Sequence, residues 1–339
     1  MIAMKVTLDD LTKLTGLSKS TISRAINHTG PVSKAAQIAI ERAVTETGYN
    51  RKTVCHSGGS FASKMILMIS TDINERTHTR YLKAFNSFFR ERGYIVCALD
   101  CDFDLQNELS YLKFASENGF CGVFLLSLAK DGDSEYYHKL STFSCPIVMI
   151  NRQYSPSNFD AVCMDYYQAG FMSCEQLLKH GHKKIAILTG PENFYSIKNK
   201  VWGALDAIES YQCQIQVKQD ITATEHADYH DGYIYGTRLV ADRLPYTGVF
   251  CTNYALARGL SDALKALQVE VPQDISLVCT DNSWVGDRVP DITTISNNEI
   301  DIAFAAGELL LERIEHPEMP VRRVIFPATR VSGNSVADC

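Results

Sequence analysis

Short apolar runs alternate with amphipathic stretches along most of this chain. From residue 64 onward the runs are "MILMIS" (65–70), "YIVCALD" (94–100), "CGVFLLS" (121–127), "PIVMIN" (146–151), "KIAILTG" (184–190), "GVFCTN" (248–253) and "ISLVCTD" (275–281). Each has strand length and is apolar without alternation. Between most of them lie stretches of helical period, at 79–92, 107–118, 168–180, 197–210, 231–243 and 255–267. A strand that is apolar throughout is covered on both faces, so the pattern predicts parallel sheets flanked by helices. So many strands predict two doubly wound sheets. Ligands of such sheets bind beyond the carboxyl ends of the strands, which places a binding cleft between two lobes.

The first fifty residues follow a different pattern. Thr7 with Asp10 resembles a capping box, and Leu8, Leu11 and Leu14 recur at helical spacing on one predicted face. Gly16 ends that helix, Leu17 anchors the turn, and Ser18 can cap a second helix, "KSTISRAIN", with Ile22 and Ile26 inward. Pro31 and Ser33 announce a third, with Ile40 and Val44 inward and Gly48 as its stop. Two short helices joined by a Gly-containing turn and closed by a third form a helix-turn-helix. The exposed positions of its second helix, Lys19, Ser20, Ser23 and Arg24, would enter a DNA major groove. The helix starts at Thr7 and Ser18 would offer backbone N–H groups to phosphates. The pattern alone fits equally a small helical bundle that binds protein.

Charge adds to this picture. Residues 1–52 carry eight Lys and Arg against four acids, a net +4, whereas the whole chain is −6 and the remainder therefore −10. A basic head on an acidic body predicts a polyanion partner for the head alone. The length of 339 residues suits two or three domains, and 45% hydrophobic residues suit a globular protein. No apolar run approaches the roughly 18 residues of a membrane helix, and the N-terminus lacks a secretory pattern, so a cytoplasmic protein is expected. The eleven cysteines are scattered without a CxxC pair, which favours reduced thiols over disulfides or zinc. No GxGxxG, Walker, HExxH or GxSxG spacing occurs, so neither a nucleotide cofactor nor catalysis is expected.

The segment "LSKSTISRAIN", followed by "GPVS" and a closing "GY", resembles the DNA-binding head of the LacI/GalR family of bacterial transcription regulators. The body segments "LLKHGHKKIAILTG", "VPQDISLVCTD" and "PDITTISNN" are similar to the same family's periplasmic-binding-protein-like effector domain. The resemblance implies a small all-α helix-turn-helix head joined to an α/β body of two doubly wound parallel-sheet lobes. The head would span 1–50 and a hinge 51–63. Lobe one would comprise 64–162 and 293–323, and lobe two 163–292 and 324–339.

For DNA contact the resemblance implies Thr7, Leu8, Ser18, Lys19, Ser20, Thr21, Ser23, Arg24, Asn27 and His28, with Lys19 and Ser20 dominating base choice. One departure is Ala36-Gln37, where the family usually has Thr-Arg. For the effector it implies Asp281, an acid suited to sugar hydroxyls. It also implies Lys200 in place of the family's Arg, Asn253, and the cleft-facing Ser196, Asp165, Arg152, Tyr81 and His78. Trp284 lies near Asp281 in sequence. The implied partners are a pseudo-palindromic double-stranded DNA operator, a small carbohydrate effector and a second copy of the chain. The C-terminus holds no leucine heptads, so a dimer is expected rather than a coiled-coil tetramer. The alternatives are a cytosolic sugar-binding protein and a degenerate regulator with weakened operator binding. The second arises from "TVCHSGGSFASK" (53–64), where the family's hinge helix wedges a leucine into the minor groove. Gly58 falls at the wedge position, and its two glycines disfavour a helix by roughly 1 kcal/mol each. The expectation is a hinge disordered without DNA and a weakly bent operator.

Overall fold

The structure is a computed structural model that describes residues 8–27, 31–47, 64–127, 129–130, 132–152, 159–191, 194–211, 227–280, 291–296 and 299–339. It divides into two units, Met1–Val54 and Cys55–Cys339.

The first unit holds α1 (Leu8–Thr15), α2 (Lys19–Asn27) and α3 (Lys34–Thr47). Its core is Leu11, Ile22, Ala25, Ile40 and Ala43, with Leu17 and Val44 packed against it. Gly16 stops α1 at φ +68, a left-handed conformation that favours glycine, and its N–H bonds to the Thr12 carbonyl. Ser33 caps α3 by accepting the Ala36 N–H at 3.3 Å. One expectation is corrected: Leu14 is 61% exposed. Three residues advance a helix by about 300°, so Leu14 is rotated about 60° from Leu11 and leaves the core face.

In the second unit the expected alternation is present. One sheet holds β1 (Met65–Ser70), β2 (Ile95–Asp100), β3 (Gly122–Leu125), β4 (Ile147–Ile150), β5 (Asp160–Met164) and β10 (Arg323–Phe326), in the order β10-β5-β4-β3-β1-β2, all parallel. The other holds β6 (Ile185–Leu188), β7 (Gly248–Cys251), β8 (Ser276–Thr280), β9 (Thr293–Ser296) and β11 (Thr329–Val331), in the order β11-β9-β8-β7-β6. Only β11 is antiparallel among these pairings. The helices are α4 (Arg76–Arg90), α5 (Leu105–Glu117), α6 (Ser134–Leu140) and α11 (Glu299–Glu315) with the first sheet, and α7 (Tyr166–Lys179), α8 (Tyr195–Ser210), α9 (Tyr229–Ala241) and α10 (Tyr254–Ala266) with the second.

The apolar runs are explained residue by residue. In β1, Ile66 and Met68 enter the cluster under α4 and α11, while Leu67 and Ile69 enter the one under α5 and α6. Successive side chains of a strand point to opposite faces, so a sheet covered on both sides needs apolar residues at every position. Each such fully buried side chain contributes about 1.5–3 kcal/mol relative to exposure.

The lobe boundaries need correction. The chain crosses between sheets three times, but each crossing lies later than expected. β5 runs to Met164 in the first sheet, β9 pairs with β8 and so belongs to the second, and β10 pairs with β5 in the first. Pairing decides membership of a hinge strand, and an apolar pattern does not encode which ladder a strand joins. The expected hinge, 51–63, lies outside the described residues.

Candidate functional site in the interlobe cavity and on the head

On the head, Ser18 begins α2 as a cap. Its Oγ accepts the Thr21 N–H at 3.2 Å and lies 2.9 Å from Ser20 Oγ and 2.8 Å from Thr21 Oγ1. Lys19, Ser20 and Arg24 are exposed together, and Thr21 and Ser23 are half-buried behind them. Arg24 Nε donates to the Ser20 carbonyl at 3.3 Å, which aligns the guanidinium along the helix. Gln37 donates to Glu41 at 3.1 Å within α3. Thr7 and His28, and the side chains of Leu8 and Asn27, lie outside the described residues.

In the body, a cavity of about 250 Å³ opens at the carboxyl ends of both sheets. Thr71 follows β1, Phe103 follows β2, Leu126 follows β3, and Asn151-Arg152 follow β4. From the other sheet come Pro191 after β6 and Thr252-Asn253 after β7. β1 and β3 are neighbours flanked by β2 and β4, so the strand order reverses at this point, where doubly wound sheets bind ligands.

Five of the expected effector residues line the cavity: His78, Arg152, Ser196, Lys200 and Asn253. Lys200 is 3% exposed. Its ammonium donates to the Thr252 carbonyl at 3.0 Å and lies 5.3 Å from the centre of the Tyr166 ring. Its place is set by a helix crossing: a Cβ on Gly170 would lie 1.8 Å from the Lys200 carbonyl oxygen, and one on Gly203 would lie 2.0 Å from that of Tyr167. His78 Nδ1 lies 2.9 Å from both Ser70 Oγ and the Asp72 carbonyl, and Nε2 lies 3.3 Å from Glu75. Nδ1–H donating to the carbonyl leaves Nε2 toward the carboxylate. Asn253 lines the wall but its side chain is engaged on both ends, accepting the Leu256 N–H and donating to the Ala227 carbonyl, each at 2.8 Å.

Two expected residues are not in the cavity wall. Asp165 caps α7, accepting the Gln168 N–H at 2.8 Å. Tyr81 is 1% exposed beneath the wall, where its hydroxyl meets the Asn151 amide at 3.0 Å. Asp281 and Trp284 lie outside the described residues. The sequence reading missed Thr71, Glu75, Phe103, Asn151, Tyr166 and Phe194. Thr71 and Phe103 lie just past the ends of apolar runs and Asn151 ends one, which was the available signal. α4 and α8 begin at the cavity with N-cap residues, Glu75 and Phe194, whose side chains form no capping hydrogen bond. Among the described residues no group of three or more His, Cys, Asp or Glu is placed to hold a metal ion, and no helix is long and apolar enough to cross a membrane.

Two family patterns match the chain, one in each unit. The family pattern described as "Bacterial regulatory proteins, lacI family" matches residues 7–52, and "Periplasmic binding protein-like domain" matches 174–336. The transcriptional repressor PurR of Haemophilus influenzae is 25% identical over 319 residues, 94% of each chain. The transcriptional regulator DegA of Bacillus subtilis is 24% identical, covering 86% of this chain and 87% of its own. Among solved structures, a LacI family regulator from Enterococcus faecium with bound ribose superposes with a TM-score of 0.69 at 24% identity, over 81% of this chain and 100% of the other. The CelR–cellobiose complex gives 0.69 at 20% identity, over 97% and 99%. The head carries the pattern of the lacI family and the body that of the periplasmic-binding-protein-like domain, the two parts of a DNA-binding transcription regulator.

Proposed function

We propose that this regulator is a cytoplasmic repressor that binds a pseudo-palindromic operator as a homodimer, and that a sugar or sugar derivative in the interlobe cavity changes its operator affinity. The observation that carries the effector reading is the wall itself. Polar groups from both lobes (Thr71, Asn151, Ser196, Lys200) converge on a cavity of about 250 Å³ that also presents the rings of Phe103 and Phe194. Hydroxyl-rich ligands use both kinds of surface, hydrogen bonds at their edges and aromatic contact on their faces. Ribose and cellobiose in the two superposed structures support the same class. Asp281 is the further candidate for the ligand hydroxyls. On the head, Lys19 and Ser20 are the proposed base readers, and Ser18, Thr21, Ser23, Asn27 and the start of α1 the proposed backbone contacts. Coupling between the two sites is reciprocal.

The test is a gel shift on the DNA upstream of the protein's own gene. Arg24→Ala should weaken the shift by about 10- to 100-fold, the loss of one charge-assisted contact of 1–3 kcal/mol. No shift by the parent protein at low salt refutes the regulator reading. A thermal-stability screen of pentoses, hexoses and their phosphates tests the effector, since a true ligand raises stability with the logarithm of its concentration. The degenerate-regulator reading rests on Gly58 and Gly59 in the hinge, and a strong kink in a circular-permutation bending assay would remove it.

A further inference from the structure

Arg152 stands at the end of β4 in the first lobe and is tied on two sides. Its Nε–H donates to the Ser127 carbonyl at 2.6 Å. Its guanidinium carbon lies 4.9 Å from the centre of the Phe194 ring, which begins α8 in the second lobe. Behind Arg152 lies a group of buried polar side chains outside the cavity wall. Glu108 and Ser127 are fully buried, and Tyr136 is 2% exposed. The Ser127 hydroxyl donates to Glu108 Oε1 at 2.8 Å and its oxygen accepts the Ala129 N–H at 3.0 Å. The Tyr136 hydroxyl donates to the same carboxyl oxygen. Burial, and then the Glu108 charge, push the Tyr136 phenol far above its ordinary value, so it stays a donor.

A buried carboxylate is tolerated only while its hydrogen-bond partners hold their places, and such a network rigidifies the chain that carries them. Here the chain it fixes is the turn after β3, whose carbonyl aims the guanidinium. With Nε engaged, the guanidinium plane is left to face an aromatic ring, which attracts a cation at this distance. A second tie joins the lobes next door, where the Tyr166 hydroxyl donates to the Asn151 carbonyl at 3.2 Å.

We propose that Arg152 is a latch between the two lobes, stacked on Phe194 across the cleft, and that Glu108 is a positioning residue that sets the latch through Ser127 and Tyr136. The latch belongs to the lobes themselves and operates whichever molecule fills the cavity, so its test needs no effector.

The experiment is hydrogen exchange by mass spectrometry on the full-length protein. It reads the amides from Lys198 to Val201, where Lys198 N–H is bonded to the Phe194 carbonyl at the start of α8. Arg152→Ala and Phe194→Leu should each speed exchange there by about fivefold, the factor that a cation–π contact of ordinary strength represents. Phe194→Tyr keeps an aromatic face and should behave as the parent. Glu108→Gln should speed the same amides although they lie in the other lobe, and should add nothing to Arg152→Ala. If Glu108→Gln does not fold, Tyr136→Phe tests the same link. Unchanged exchange at 198–201 in Arg152→Ala overturns the latch. Exchange that rises only around α5 and α6 in Glu108→Gln or Tyr136→Phe overturns the positioning role.

Discussion

Gly170 tests whether the α7–α8 crossing places the cavity lysine. In most helices Gly→Ala stabilises, by about 1 kcal/mol, through helix propensity. At Gly170 the new Cβ would lie 1.8 Å from the Lys200 carbonyl oxygen, a backbone atom that cannot rotate away. Ordinary contact begins at 3.4 Å, so α8 must move by about 1.6 Å or α7 must bend. Overpacking of this kind costs about 1–3 kcal/mol, and against a backbone atom the upper part of that range applies. The clash therefore outweighs the propensity gain, for a net loss of about 1–2 kcal/mol. Urea unfolding followed by circular dichroism should show a lower midpoint with an unchanged slope. Because Ser196 and Lys200 ride on α8, ligand-induced stabilisation should fall as well. The neighbouring Gly203→Ala should act alike, since its Cβ would meet the Tyr167 carbonyl oxygen at 2.0 Å. A Gly170→Ala protein more stable than its parent would refute the idea that backbone contact at this crossing fixes Lys200.

Two further predictions concern titratable groups. His182 is 4% exposed, with Nε2 3.1 Å from the Ala337 carbonyl and Nδ1 3.0 Å from Thr247 Oγ1, an arrangement that suits the neutral ring. Burial lowers its pKa, with opposing help from the Ala337 carbonyl. The unfolded chain then takes up this proton first, so stability is full above about pH 6.5 and declines below it, by at most about 1.4 kcal/mol per pH unit. His182→Gln should flatten the fall in urea midpoint between pH 6.5 and 5, and an unchanged slope would show that other groups govern it. For the cysteines, burial pushes Cys101 and Cys163 up to about 12, and Cys174 and Cys251 are raised by burial as well. A thiol at that value is about one part in 10⁴ thiolate at pH 8. Among the described cysteines, disulfide-reagent labelling mapped by peptide should therefore mark the exposed Cys339 first, and the buried ones only in denaturant. Early labelling of Cys174 or Cys251 would contradict their burial.

The fold was legible where burial is two-sided. "MILMIS" is apolar at five of six positions and "ISLVC" (275–279) at four of five because two helix layers cover each sheet. β5 and β10 were not legible for definite reasons. "DAVCM" opens on Asp160, a residue type depleted in strands, although here it is 2% exposed. That carboxylate is held by Arg313 at 2.8 and 3.0 Å, from a helix 153 residues away, and no local pattern encodes a partner at that distance. "RVIF" is an edge strand with alternating exposure, too short for its period to register.

The site was half legible, and two expected residues share one physical reason for serving the fold rather than a ligand. Asp165 and Asn253 each precede a helix, a position where the same short polar side chain can serve a ligand or satisfy the helix's own N–H groups. Both satisfy the helix, as do Asp104, Asp133 and Asp228 at the starts of α5, α6 and α9. Two helices that open directly on the cavity, α4 and α8, begin instead at Glu75 and Phe194, whose side chains do not cap them. A helix start whose N–H groups are not answered by its own side chain is the one that can answer a ligand. A polar residue before a helix was therefore weak evidence for binding here. The better signal in this sequence was Phe194, an aromatic residue where a capping Ser, Thr, Asp or Asn would ordinarily stand.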